Sequence, residues 1–358
     1  MNNFYKILSV FVFGVVLVSC TSNNDVEAEP LRDYATQYAT DLASIDQYID
    51  THYLTYDSDY NVTFDTLLQN SGHSSIRTDA AFHLSDTTVA QNGINYKVYF
   101  IKFREGTQKR PTQVDSVHVA YRGVNLKKSA QFDVAQSATW FKLQEVISGW
   151  SHIIPNFKTG TYTPSTGGNP ATFNDFGAGV MFLPSGLAYY NNAAGTIPAY
   201  SPIIFSFKLY ELQYRDQDND GILSKDERVV GANLPTSVRW KVNPYLGYDI
   251  NGDGVIDTSN TLYDSNNDGI ADSREYNDTD SDGIPDMYDT DDDGDNFTTR
   301  SETKKRTVDL PLTGPLGHYP YDPTPSEPKG VPSCGNSDFT TPTRLRKYLD
   351  PTCHFEDN

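Results

Sequence analysis

Between Asp216 and Glu302 one pattern recurs at short intervals: Asp at the first place, Asp or Asn at the third and fifth, Gly at the sixth, and oxygen-bearing residues at the ninth and twelfth. A stretch so rich in Asp, Asn and Gly cannot bury a hydrophobic core, so something other than apolar burial must hold it. The first loop offers the carboxylates of Asp216, Asp218 and Asp220, the Ile222 carbonyl, Ser224 at place nine and both oxygens of Glu227 at place twelve. The second offers Asp249, Asn251, Asp253, the Val255 carbonyl and Asp257, and ends on the weaker Asn260. The third is complete, with Asp264, Asn266, Asp268, the Ile270 carbonyl, Asp272 and Glu275. The fourth has Asp278, Asp280, Asp282, the Ile284 carbonyl, Asp286 and Asp289. The fifth starts on the shared Asp289, uses Asp291, Asp293, Gly294 and Asp295, and ends irregularly on Arg300. Six or seven hard oxygens around a tight turn are what calcium takes.

Charge narrows the function classes. From Glu211 to Glu302 there are 23 Asp and Glu against 7 Lys and Arg, a balance of 7 − 23 = −16 within a chain total of −19. This excludes a nucleic-acid binder, because phosphate contacts need Lys and Arg. Carboxylates a few ångströms apart cost about 1 kcal/mol per like-charged pair in water, and a bound cation reverses the sign. Several structural calcium ions are therefore the expected cofactor. The tight packing of the last three loops, 14 and 11 residues apart, resembles thrombospondin type-3-like repeats more than paired EF-hands, since flanking helices are absent.

The N-terminus reads as an export address. Lys6 precedes 12 residues of largely apolar chain, Ile7 to Val18, which suit a secretory signal and are too short for a stable membrane span. They end in Leu17-Val18-Ser19-Cys20, which resembles a bacterial lipobox; the resemblance implies cleavage before Cys20, lipidation of its thiol and a place in the bacterial cell envelope. Residues 20–30 are polar and acidic, as a tether would be. The two remaining cysteines, Cys334 and Cys353, lie in a Pro-rich tail, where a disulfide is expected in an oxidising compartment and two free thiols are the alternative.

Between address and loops the periodicity changes twice. Leu31, Tyr34, Tyr38, Leu42, Ile45, Ile49 and Tyr53 recur in steps of three and four, which predicts an amphipathic helix, packed on its own domain or on a second copy. Short aromatic and β-branched runs follow at Tyr96–Phe103, Ser116–Arg122, Gly179–Phe182 and Ile203–Leu212, with one short helix expected in Gln144–Gly149.

Three stretches here carry a specific pattern: Val117 to Gly123 followed by Gln131-Phe132-Asp133; Phe141 to Trp150, containing Val146-Ile147-Ser148-Gly149-Trp150; and Leu183 to Tyr189, continuing to Gly195-Thr196-Ile197-Pro198 and Ile203–Leu209. In this order they resemble the FKBP family of peptidyl-prolyl cis-trans isomerases over about residues 94–213. The resemblance implies an antiparallel half-barrel sheet around one short helix, with an aromatic pocket between them. Trp150 would be its floor, and Tyr121, Phe132, Phe141, Val146, Ile147 and Phe205 its walls, with Trp140 an alternative to Phe141. Asp133, Tyr189 and the Ile197 N–H would be its polar groups. Two departures stand out: Tyr190 replaces the usual Gly after Ala-Tyr and could crowd the loop over the pocket, and an insertion from Thr161 to Ala178 could cap the site, gate it or recognise a partner.

The reading is an α+β chain: signal peptide 1–19, tether 20–30, an N-terminal helical region 31–93, an FKBP-like domain 94–213, a calcium-stabilised repeat module 214–302 and a Pro-rich segment 303–358. The expected function is prolyl isomerisation on Xaa-Pro segments of exported proteins, at a membrane reached through the lipid anchor. The rivals are a non-catalytic FKBP-like binding module and a calcium-dependent surface structural or adhesion protein.

Overall fold

The computed structural model describes residues 31–69, 72–168, 171–227, 277–280, 282, 284–305, 317–336 and 338–353, with the backbone of 242–243 and 247–248. The expected signal, Cys20 and tether lie outside the described residues, as do the ligands of the second and third loops. Among the described residues no helix is long and apolar enough to cross a membrane.

Helix α1 (Tyr34–Thr51) begins where the Asp33 carboxylate accepts the Thr36 N–H at 2.8 Å, a standard N-cap bond, and ends where His52 turns extended. It buries Gln37, Asp41, Ile45, Tyr48 and Ile49. The expectation of a helical region up to residue 93 is corrected beyond this point. Strands β1 (His52–Tyr56) and β2 (Val62–Thr66) form a hairpin, and β3 (Leu84–Gln91) joins the main sheet. Each strand of that hairpin is five residues long and buries one residue, Leu54 or Val62, too short a stripe to flag a strand from sequence.

The main sheet has six strands, all neighbours antiparallel, in the order β3, β4 (Ile94–Arg104), β9 (Gly177–Leu183), β10 (Ile203–Gln213), β5 (Ser116–Asn125) and β6 (Gln131–Lys142). The four expected strands are β4, β5, β9 and β10; the edge strand β6 was not foreseen. The short helix comes later than expected, as α2 (Ser148–Ile153) continued by a 3₁₀ turn at Ile154–Asn156.

Alternation along the strands gives each face its own core. Val117, Val119, Phe205, Phe207 and Leu209 pack with Trp150, Ile153 and Phe157 beneath α2. Val124, Val180, Phe182 and Ile204 point the other way and pack with Ile45, Tyr48 and Ile49 of α1 and with Leu54 and Val62 of the hairpin. α1 therefore docks within its own chain. The insertion forms a second hairpin, β7 (Thr161–Thr163) with β8 (Thr172–Asn174). Its Phe173 sits 4.8 Å from Tyr210 and 5.8 Å from His118, ring to ring, on the face opposite Trp150. The expectation that it caps the pocket is corrected: the alternation of β5 and β10 puts His118 and Tyr210 behind the sheet.

The acidic loops follow β10 directly. A single turn of helix, α3 (Thr299–Glu302), closes the last of them, and the C-terminal segment folds back so that Tyr319, Val331, Tyr348 and Leu349 bury Ile222. Between them, residues 242–243 and 247–248 pair as two short strands, β11 (Val242–Asn243) and β12 (Gly247–Tyr248). Cys334 and Cys353 are disulfide-bonded, with Cα atoms 5.4 Å apart.

Candidate functional site

A cavity of about 270 Å³ opens between α2, β5 and β10, lined by Tyr121, Asp133, Phe141, Glu145, Val146, Ile147, Trp150, Tyr189 and Phe205. The fold brings these residues together from five separate segments. Trp150 is held in the first turn of α2, where its N–H donates to the Ile147 carbonyl at 3.0 Å. Gly149 lets that helix approach the sheet: a Cβ there would lie 2.5 Å from Leu183 Cδ2. Gly123 does the same for the wall, since a Cβ would meet the Phe132 ring at 2.5 Å and the Phe205 ring at 2.9 Å.

Around the Trp150 indole the rings meet edge to face. Tyr121 lies at 5.1 Å and 87°, Phe205 at 5.2 Å and 85°, and Phe141 at 5.6 Å and 66°. Edge-to-face packing sets positive ring edges on negative faces and fixes a rigid, dry box. Phe141 faces this box. Its neighbour Trp140 points to the other face of β6, stacked on His118 at 5.0 Å and half exposed, so Phe141 is the wall and Trp140 is not.

Four polar groups reach the rim. The Tyr121 hydroxyl donates to Asp133 Oδ2 at 2.7 Å. Burial, then that hydrogen bond, pushes the Tyr121 phenol above its usual range; burial, then the Asp133 charge, does the same to Tyr189. Both hydroxyls therefore stay protonated and able to donate. Glu145, which was not foreseen, contributes a carboxylate paired with Lys142.

Two expected members are placed elsewhere. Phe132 stands behind Phe205, at 5.5 Å and 84°, and supports the wall without lining the cavity. Ile197 is buried in the same core, but its N–H donates to the Ala194 carbonyl at 2.9 Å, and Ala194 donates back at 3.0 Å. The expectation of a free donor there is corrected: a tight turn has already used it.

Tyr190 does not crowd the pocket. It keeps the left-handed backbone, φ 47°, that a Gly would adopt at low cost, and turns its ring onto Tyr34 of α1 at 4.2 Å. Its hydroxyl donates to the Arg32 carbonyl. Nearby, the buried Asp41 carboxylate accepts the Ser185 N–H at 2.7 Å and its hydroxyl at 2.5 Å, anchoring the turn that leads to Tyr189.

A larger groove, about 600 Å³, runs behind the sheet between the β1–β2 hairpin and β5–β6. It is spanned by Arg122 Nη1 donating to the Val62 carbonyl at 3.0 Å and Lys208 Nζ to Asn61 Oδ1 at 2.8 Å. Those bonds engage both of its cations, Arg122 and Lys208, and the ring-walled smaller box is the candidate site.

The acidic loops form a second constellation. In the first, fourth and fifth loops the N–H of place five donates to the place-three carboxylate: Asp220 to Asp218 at 3.1 Å, Asp282 to Asp280 at 3.0 Å, Asp295 to Asp293 at 3.3 Å. The N–H of place seven donates to place five: Ile222 to Asp220 at 2.7 Å, Ile284 to Asp282 at 2.7 Å, Phe297 to Asp295 at 2.8 Å. The N–H of place two donates to the place-nine side chain: Gln217 to Ser224 at 3.2 Å, Thr279 to Asp286 at 2.7 Å, Asp292 to Thr299 at 3.2 Å.

This pattern corrects the register of the fifth loop, which starts at Asp291 and not at Asp289. Asn296 takes the sixth place with φ 75°, as Gly221 does with φ 106°. Its N–H donates to Asp291 Oδ2 at 2.9 Å, as Gly221 N–H does to Asp216 Oδ2 at 3.2 Å. The twelfth place then falls on Glu302, which is buried with neither carboxylate oxygen hydrogen-bonded. Arg300 is not a failed ligand; its guanidinium donates to the Asn219 carbonyl at 2.8 Å.

Carboxylate oxygens of Asp216, Asp218 and Asp220 lie within 4.8 Å of one another, as do those of Asp278, Asp280 and Asp282, and of Asp291, Asp293 and Asp295. Burial first and neighbouring acids next push the Glu227 carboxyl up to about 11, Glu302 to about 9, Asp220 to about 8, and Asp218 and Asp293 to about 7. Buried, converging oxygens without donors fit a hard divalent cation.

This constellation touches the pocket. Gln217, at the second place of the first loop, donates to Gln144 Oε1 at 2.8 Å, and Gln144 donates to the Tyr288 hydroxyl at 3.0 Å. Gln144 directly precedes the wall residues Glu145, Val146 and Ile147.

Comparison with known proteins gives two separate matches. Residues 217–332, less than half of the chain, match the family model BamM_C, described as BamM C-terminal. An FKBP-type peptidyl-prolyl cis-trans isomerase, FkpA of Aeromonas hydrophila, is 29% identical over 133 residues, 36% of this chain and 42% of that relative. The chain thus spans less than half the length of that relative. Among solved structures, a peptidyl-prolyl cis-trans isomerase of Pseudomonas syringae aligns at 22% identity and TM-score 0.28, over 38% of this chain and 84% of that one. FkpA of Escherichia coli aligns at 17% identity and TM-score 0.30, over 51% and 61%. The chain is similar to FKBP-type peptidyl-prolyl isomerases.

Proposed function

We propose that this protein is a peptidyl-prolyl cis-trans isomerase of the bacterial envelope, lipid-anchored through Cys20 and braced by calcium in its acidic module. The observation that carries the reading is the box of about 270 Å³ floored by Trp150 and walled by Tyr121, Phe141 and Phe205. An Xaa–Pro bond resists rotation because amide resonance gives a barrier of about 18–20 kcal/mol. Twisting breaks the resonance and removes charge separation, so a dry aromatic box favours the twisted state over the planar amide, which prefers water. The proline ring stacks in the box, and the Tyr189 hydroxyl holds a substrate carbonyl. Asp133, fixed by Tyr121, sets the field across the rotating carbonyl. No nucleophile is called for. The substrates are Xaa-Pro segments of exported proteins, in keeping with the signal-like run ending at Cys20.

The calcium part of the reading is supported by the common hydrogen-bond pattern of the three described loops and by the donor-free oxygens of Glu227 and Glu302. The ions would be held by the first, third, fifth and twelfth places of each loop. They neutralise charge and fix the loops; the isomerisation needs none.

A second reading is a module that holds Xaa-Pro segments without rotating them. It is favoured by the Ile197 amide, which is already spent on Ala194. A protease-coupled or NMR exchange assay on an Xaa-Pro peptide separates the two. The expected result is catalysed exchange that Trp150→Leu and Asp133→Ala each lower about tenfold or more. Peptide binding with an uncatalysed exchange rate would establish the holding module instead.

A further inference from the structure

We infer that Asp220, Glu227 and Asp292 form a divalent-cation site that spans two loops, the first and the fifth, and so closes the acidic module on itself. The inference rests on the calcium reading above and assigns to Asp292 a role that the twelve-residue pattern does not give it, since the second place of a loop supplies no ligand.

Asp292 belongs to the fifth loop by chain position, yet its carboxylate lies within 4.8 Å of ligand atoms of both Asp220 and Glu227 in the first loop. All three side chains are almost completely buried, at 1%, 2% and 1% exposure for Asp220, Glu227 and Asp292. Both oxygens of Glu227, both of Asp292 and Oδ2 of Asp220 have no hydrogen-bond donor. The Thr299 hydroxyl beside Asp292 accepts that residue's N–H. Among the cations of this region Lys225 pairs with Asp226, Arg346 Nη2 with Asp322 and Arg300 with the Asn219 carbonyl, while Arg346 Nη1 is buried without an acceptor. Three buried carboxylates that converge without a donor must either take up protons or hold a cation, and at neutral pH a divalent cation suits their converging oxygens.

Among the described residues, two further hydrogen bonds join the first loop to the later ones. Arg300 reaches the Asn219 carbonyl, and the Asn277 N–H donates to the Glu227 carbonyl at 3.3 Å. A cation held from both sides would therefore tie a loop that follows β10 to one that lies about seventy residues later in the chain.

Calcium titration of the full chain by calorimetry, with terbium luminescence as a second probe, tests this. Asp292→Asn keeps the volume and removes the charge; it should cost one ion from the stoichiometry, or weaken one class of site at least tenfold, with far-UV dichroism unchanged. Glu227→Gln should affect the same class, and the double variant should lose no more than Glu227→Gln alone. Asp292→Asn with wild-type stoichiometry and affinities within twofold would overturn the shared site while leaving the loop reading intact. A wild-type chain that binds neither ion would remove both. If Asp292→Asn fails to fold, the decision passes to Asp292→Glu. That variant should keep the ion with altered affinity, and unchanged affinity in it overturns the shared site.

Discussion

The aromatic box and the acidic loops solve opposite electrostatic problems. Around Trp150 the chain pairs most of its groups internally: ring edges meet ring faces, Tyr121 donates to Asp133, and burial keeps the phenols neutral, while the buried indole Nε1–H has no acceptor. Around Glu227 and Asp292 it does the reverse, gathering like charges out of water with no donor to meet them. The first region is built mainly from ring contacts; the second, on the calcium reading, is completed by bound cations. A mixed protein of this kind should therefore respond to core mutations in one half and to solution conditions in the other.

The sharpest way to break that contrast is to withdraw calcium. On the calcium reading, each ion at one hundred times its dissociation constant would stabilise the fold by about 2.7 kcal/mol, and several would be lost together. Heat scans in calcium and in chelator should show a large drop in one transition, with the aromatic domain's transition nearly unmoved. A single common transition shifted as a whole would erase the distinction. The chelated protein should also gain stability as pH falls. Its buried carboxyls titrate higher than in the unfolded chain, so the folded state binds more protons. That stability is present below about pH 4 and is lost as pH rises through about 7 to 9. Saturating calcium should invert this slope, because protons then compete with the ion.

Next in size, Trp150→Ala should cost about 3–5 kcal/mol in denaturant unfolding of the aromatic domain, with calcium affinity unchanged. A parallel loss of calcium affinity would mean that the Gln144 bridge transmits more than expected. The smallest effect concerns the fifth loop. Asn296→Gly should change stability by less than about 0.5 kcal/mol, while Asn296→Val should cost about 1–2 kcal/mol, because a β-branched residue tolerates a positive φ poorly. Equal tolerance of both would return the loop start to Asp289.

What sequence reveals follows the same division. The box was legible because its residues come from short motifs of fixed spacing, Val146 to Trp150 above all, and the helix because its stripe repeats every three or four residues. The first and fourth loops were legible for the same reason. The fifth was displaced by two residues because Gly294 looked like the turn glycine, while the bend at place six is made by Asn296. β6 went unseen because two register shifts against β5 break its alternation, and its exposed face carries Val134 and Trp140. Phe132 and Ile197 were placed in the pocket by motif alone, which says nothing about which amide a turn will consume. Asp292 has no local signature; only packing across the chain brings it to Glu227.

The docking of α1 has a temporal consequence. Asp41 of α1 accepts from Ser185, 144 positions on, and Arg32, just before the helix, accepts from Tyr190, 158 positions on. At roughly 5–20 residues per second, the ribosome needs about 7–30 s to supply those partners. The earliest segment of this fold thus meets only the β1–β2 hairpin and β4 at first, and its remaining core partners Val180, Phe182 and Ile204 follow only when about two hundred residues exist.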